Sequence, residues 1–196
     1  MSEFVPYASA GIISWYFIAS ALNEGCIAIV SSANIYKSIS VPFSYSILRM
    51  LTRGLIVYAH NFLIFVVVAA ILGINFLTSL PQFLVGLFLV TLNLAWMVTI
   101  LSVLTTRYRD IQQLIGAIIT ILFLITPIFW EKKALSATWI YQLNPFTYFI
   151  DALREPLLGG DGWTTAALVL VAFALIGWSI AFAVFAYGQR RIVFWL

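Results

Sequence analysis

Three of the few chemistry-bearing residues in this chain crowd one helical turn: Asp151, Arg154 and Glu155, within "LNPFTYFIDALREPLLGG" at 143–160. Asp151 and Arg154 stand at i, i+3, a spacing at which opposite charges on a helix pair. Such charges can hold or release a contact, but they make no catalytic centre. The rest of the chain supplies one histidine, His60, and one cysteine, Cys26, with no Cys/His cluster, no Ser–His–Asp set and no aspartate cluster for metal-dependent sugar transfer. No GxxxxGK[ST] surrounds Lys37, Lys132 or Lys133, so no phosphate-binding loop is present. A lone cysteine excludes an intrachain disulfide. The sequence therefore reads as a non-enzyme with no metal site, in which charges gate or position rather than react.

The surroundings of those charges follow from composition. Of 196 residues 63% are hydrophobic and 9% charged, with a mean hydropathy of +1.06. Soluble domains carry roughly 25% charged residues, so this is a membrane domain. A net charge of +3, dispersed along the chain, argues against nucleic-acid binding. No apolar stretch followed by a small-residue cleavage site opens the chain, so no cleavable signal peptide is expected.

Spanning helices need about 20 apolar residues. Five segments qualify, at about 5–28, 54–74, 82–104, 112–130 and 164–187, none with a charge at its centre. Pro127, in "TPIFW", is expected to bend or terminate the fourth. Alternating the connections by side places seven of the ten basic residues on one face (Lys37, Arg49, Arg53, Arg107, Arg109, Arg190, Arg191) and three on the other. Lys and Arg mark cytoplasmic loops, so 29–53, 105–111 and the C-terminal tail are expected in the cytoplasm. Residue 1 then begins outside, which favours a preceding span beyond this sequence over unaided tail-outward insertion. Neither an internal repeat nor the paired broken helices of secondary transporters is evident, so residues 1–196 read as one domain.

On the outer side, Asn144 is an N-cap and Pro145 a first helical residue. Phe146, Phe149, Ile150, Leu153 and Leu157 then form one apolar stripe, with Tyr148, Asp151, Arg154 and Glu155 opposite. Pro156 and the glycines at 159–160 end the helix. With the short apolar "ALSATWIYQL" before it, the segment 134–158 reads as a re-entrant or interfacial hairpin; the alternative is a helix that only anchors the loop to the surface. Asn144, Pro145, Asp151, Arg154 and Glu155 are the candidate outer gate.

That stretch, with "TPIFW", "RYRDIQQ" and "WYFIASALNEGCIAIVSSANIYKSISVPFSYSILR" (15–49), resembles the membrane subunit of ABC-2-type exporters, within them the bacterial polysaccharide branch exporting O-antigen, capsule or teichoic acid. The resemblance covers essentially the whole chain. It implies an all-α membrane fold of the family's six-span type, beginning here at the second span without the N-terminal interface helix and first span. It also implies a homodimer in the bacterial cytoplasmic (inner) membrane, C-terminus inside, through which a lipid-linked glycan passes. ATP and Mg would be bound by a separate ATP-binding subunit and no cofactor by this chain. Asn34 to Ile39 would form the coupling helix, Ile35 and Tyr36 its anchors and Lys37 a rim charge; the alternative is a plain turn. Arg107, Tyr108, Arg109 and Asp110 would be a second contact, or charges that set topology only.

Trp15, Tyr16, Phe17, Phe123, Phe129 and Trp130 are candidates to line a sugar path, flat rings suiting pyranose C–H faces; aromatic belts at the membrane interface are the ordinary alternative. Glu24 is expected to pair with a loop arginine or a backbone donor, and His60 to hydrogen-bond a neighbouring helix. The rival readings are an ABC-2 exporter of drug or lipid cargo, an intramembrane enzyme or assembly factor acting on polyprenyl-linked sugars, and a channel or secondary transporter.

Overall fold

In lipid every backbone polar group must be satisfied within the protein, which a chain this apolar does with helices. The computed structural model describes residues 4–130, 132 and 138–195; Lys133 and the opening of the expected outer hairpin, 134–137, lie outside them. The helices are α1 (Phe4–Cys26), α2 (Ala33–Ser38), α3 (Ser44–Leu72), α4 (Leu80–Arg107), α5 (Ile111–Ile125), α6 (Trp139–Gln142), α7 (Pro145–Leu158) and α8 (Trp163–Trp195). No strand occurs among the described residues, and the all-α membrane fold stands as the sequence implies.

Phe4–Cys26, Ser44–Leu72, Leu77–Arg107 and Trp163–Gly188 are long and apolar enough to cross a bilayer. The fourth expected segment, 112–130, differs: its helix has 15 residues and stops at Ile125, about 22 Å long against a core of about 30 Å. Pro127 is the cause. It pushes the residue before it out of the α region, and Thr126 is extended at φ −79°, ψ 134°. α3 departs the other way. Its 29 residues start ten before the expected apolar run and measure about 43 Å, so its first turns, with Arg49 and Arg53, extend past the hydrocarbon.

α4 packs along α8 and α1, and α1 along α3. Phe17, Ile18, Phe65, Leu94 and Val98 make the shared core. Asn93 ties α4 to α8 from a fully buried position. Its Nδ2 donates to the Leu89 carbonyl at 2.9 Å and the Leu170 carbonyl at 3.0 Å, and its Oδ1 accepts from Trp96 Nε1 at 2.9 Å. With both donors and the oxygen of that amide in use, it is glue rather than a cost.

α7 is wedged among α1, α4 and α8. The tightest approach is to α4, where a Cβ on Gly86 would run into the Ala152 carbonyl oxygen. Pro156, four residues beyond Ala152, has no N–H to offer that carbonyl. Helix ending and helix packing are thus coupled: the carbonyl that Pro156 frees is the one that only a glycine can approach.

Candidate functional site

α7 begins as its sequence dictates. The Asn144 side chain accepts from Phe146 N at 3.0 Å, and Pro145 occupies the first turn. It ends at Gly159, in the left-handed region at φ 73°, with Gly160 N on the Glu155 carbonyl at 3.0 Å. Between these ends most of the polar face is covered as well, which counts against the alternative of a helix that only anchors the loop to the surface. Arg154 is 1% exposed and Asp151 4%. A chain lying on the surface would leave both in water.

Arg154 is held on three sides. Its Nη1 donates to the Pro127 carbonyl at 2.8 Å, its Nη2 to Asp151 Oδ1 at 3.2 Å, and its guanidinium lies 3.9 Å over the ring of Tyr7. Asp151 Oδ2 takes Lys132 Nζ at 2.5 Å. The Tyr7 hydroxyl donates to the Trp130 carbonyl at 3.1 Å, and Asn144 Nδ2 to Thr126 Oγ1 at 2.8 Å. The physical logic is that Pro127 breaks α5 and leaves carbonyls without helical donors, which must find others when buried. Arg154 and Tyr7 supply them, while Asn144 holds the Thr126 hydroxyl at the break. The result is a buried latch joining the start of α1, the broken end of α5 and α7. Glu155 stands apart, half-buried, with its carboxylate against the Gly160–Gly162 turn.

Sequence reasoning placed Asn144, Asp151 and Arg154 together but missed Tyr7 and the role of Lys132. Neither carries a local signal, since Tyr7 lies 120 residues or more from its partners.

The other end of the bundle holds the basic candidates. Glu24 lies 17 residues along α1 from Tyr7, about 25 Å away, and pairs at 3.5 Å with Arg53, an arginine of the expected loop 29–53 that the structure places on α3. Ile29, Val103 and Ile192 form a small core there, with Tyr36, Phe43, Val184 and Phe185 against it. The α2 turn, the end of α4 and the end of α8 therefore share one face, which brings Asn34–Lys37 and Arg107–Asp110 to the same end. Asn34, Lys37, Tyr108, Arg109 and Asp110 are exposed, and the Arg107 guanidinium lies 5.0 Å over the Tyr108 ring. Tyr36 faces inward: its ring is 4.8 Å from Phe43, and its hydroxyl bonds the Phe43 carbonyl at 3.1 Å and the Ser46 hydroxyl. It anchors α2 to its own chain, and Ile39, 61% exposed, is the outward apolar residue there.

The six aromatics do not share a surface. Phe17 is buried on Tyr58, centroids 5.1 Å apart, and Trp15 is buried on Phe123 at 5.8 Å and Phe146 at 6.0 Å. Both are core within this chain, packed on opposite sides of α1, with Tyr16 between them facing out. Tyr16 and Phe129 are exposed; Phe123 and Trp130 are half-buried. His60 is exposed on α3, and the expected bond to a neighbouring helix is not made among the described residues.

Against this geometry two similarities can be set. The sequence model of the ABC-2 type transporter family matches residues 2–158. An O-antigen export system permease protein of Klebsiella pneumoniae is 24% identical over 168 residues, covering 81% of this chain and 62% of the relative. The chain thus spans less than two thirds of that relative's length.

Proposed function

The chain belongs to the ABC-2 type transporter family, and from that premise we propose that it is the membrane subunit of an exporter of lipid-linked polysaccharide, O-antigen-like, across the bacterial cytoplasmic membrane. It is a multi-pass membrane protein with four apolar helices of spanning length. In this reading a second copy completes the translocation path, and separate ATP-binding subunits carry ATP and Mg. They dock at the basic end, on α2 with Asn34, Ile35 and Lys37, on Ile39 just past it, and on Arg107–Asp110. That end, like the C-terminus, lies in the cytoplasm by the charge rule.

The observation that carries the reading is α7. A helix of about 21 Å cannot cross a core of about 30 Å, yet ten of its fourteen residues are buried, Asp151 and Arg154 among them, and it is latched through Arg154 to the broken α5. Asn144, Pro145, Asp151 and Arg154 then form a plug at the outer end that shifts as a unit, with Glu155 at its rim. The polysaccharide cargo rests on the distant O-antigen permease relative. Tyr16 and Phe129, with the half-buried Phe123 and Trp130, remain as ring surfaces for a glycan.

The test is reconstitution of the chain with its ATP-binding subunit in proteoliposomes loaded with a prenyl-diphosphate-linked glycan. ATP-dependent appearance of glycan on the far side supports the reading. Transport of lipid or drug probes with no glycan movement would replace it with the other cargo class.

A further inference from the structure

A groove of about 610 Å3 opens between the last turn of α1 and the first turns of α3. Glu24 and Ser31 line one wall, and Ser46, Arg49, Met50 and Arg53 the other. Its charge is unbalanced, two guanidiniums facing one carboxylate. The Glu24–Arg53 pair is long, at 3.5 Å, with the Arg53 side chain 72% exposed. Arg49 Nη2 reaches Ser32 Oγ at 3.4 Å. Each guanidinium has five N–H donors, so both keep donors for an acceptor from outside the chain. The N-terminal end of α3, which begins at Ser44, adds its own positive potential.

The depth of the groove sets the kind of anion. Arg53 directly precedes the apolar run that starts at Gly54, so its head sits at the hydrocarbon boundary while Arg49 lies one turn further out. On the same face of α3, Val57, His60 and Ile64 follow at four, seven and eleven residues, all exposed, so the face is mainly apolar with one imidazole between the two aliphatic residues. A cationic fork above an exposed, mainly apolar face matches a molecule with a phosphate head and a hydrocarbon tail, and guanidinium suits phosphate by its bidentate geometry.

We propose that this groove binds the phosphate headgroup of a membrane lipid, with Arg49 and Arg53 on the phosphate oxygens and the Val57–Ile64 face of α3 along the chain. The occupant is a bilayer phospholipid or a prenyl-diphosphate carrier, which share this chemistry. The inference needs only the basic end to lie at a bilayer surface and holds whichever cargo is moved.

The test uses the full chain with its ATP-binding subunit in phosphatidylcholine nanodiscs carrying a minor fraction of spin-labelled phosphatidic acid. R49Q/R53Q should weaken association of that probe relative to spin-labelled phosphatidylcholine by about thirtyfold, the scale of two cations lost at an anionic surface. R49K/R53K should retain most of it. Ser31→Trp, which fills the groove without touching a charge, should reproduce the loss. Displacement of the probe by undecaprenyl diphosphate marks the carrier as occupant, and failure to displace marks bilayer phospholipid; both support a lipid-phosphate site. Equal probe association in R49Q/R53Q of unchanged thermal melt would overturn the proposal, as would displacement by inorganic phosphate alone.

Discussion

Replacing Arg154 by methionine keeps most of the stem volume and removes the charge from the centre of the latch. The guanidinium is 1% exposed and is shared by Asp151, Pro127 and Tyr7. Removing one partner of a buried ion pair costs about 3–5 kcal/mol, and an orphaned buried carbonyl about 1–3 kcal/mol. Lys132 remains on Asp151, 30% exposed and in reach of water, and offsets part of this. The expected loss is therefore about 3 kcal/mol, near the low end of the pair range. Asp151→Leu alone should cost a similar amount, while the double variant should recover about 2 kcal/mol of the sum, since neither charge is then stranded. Equilibrium unfolding in bilayers by steric trapping, run as a double-mutant cycle, reads these values. If R154M lay within about 0.5 kcal/mol of wild type, the size of an exposed i, i+3 pair, or the two changes simply added, the buried latch would be refuted.

Gly86→Ala should destabilise by about 1–3 kcal/mol, because its Cβ meets the Ala152 carbonyl on rigid helical backbone; an unchanged melting temperature would contradict the α4–α7 approach. Asn144→Ala should cost about 1 kcal/mol or more for the lost cap. Asn144→Asp keeps the acceptor for Phe146 N but not the donor to Thr126, and its melt should fall between the two. At the basic end, Ile39→Asp should lower co-purification of the ATP-binding subunit about tenfold or more, as for an apolar hot spot. Tyr36→Phe, which breaks only bonds within the chain, should act on thermal stability first.

Local signals in the sequence translated well into structure. Asn144 followed by Pro145, and Gly159 past the last periodic residue, set the two ends of α7, because capping is decided by neighbours in the chain. Glu24 and Arg53 sit at the ends of adjacent helices, where charge alone suggests a pair. What could not be read is which faces are covered. The stripe from Phe146 to Leu157 marks one buried side of α7, but periodicity is silent on whether another element roofs the opposite side. Here the segment Pro127–Trp130 and Tyr7 do so, and their encounter with Arg154 is decided by tertiary packing. Trp15, Tyr16 and Phe17 fail as a group for the same reason: adjacent in sequence, they face three directions on α1.

The sidedness of the two ends decides whether the basic end faces the cytoplasm and the α7 end the outside. With Cys26, which is buried, replaced by alanine, single cysteines at Lys37, Arg109 and Asp161, all exposed positions, can be probed with a membrane-impermeant maleimide in cells. The cysteine at 161 should react in intact cells, and those at 37 and 109 only after the membrane that holds the protein is opened. Reaction at 109 from outside, or at 37 and 161 from the same side, would contradict that arrangement.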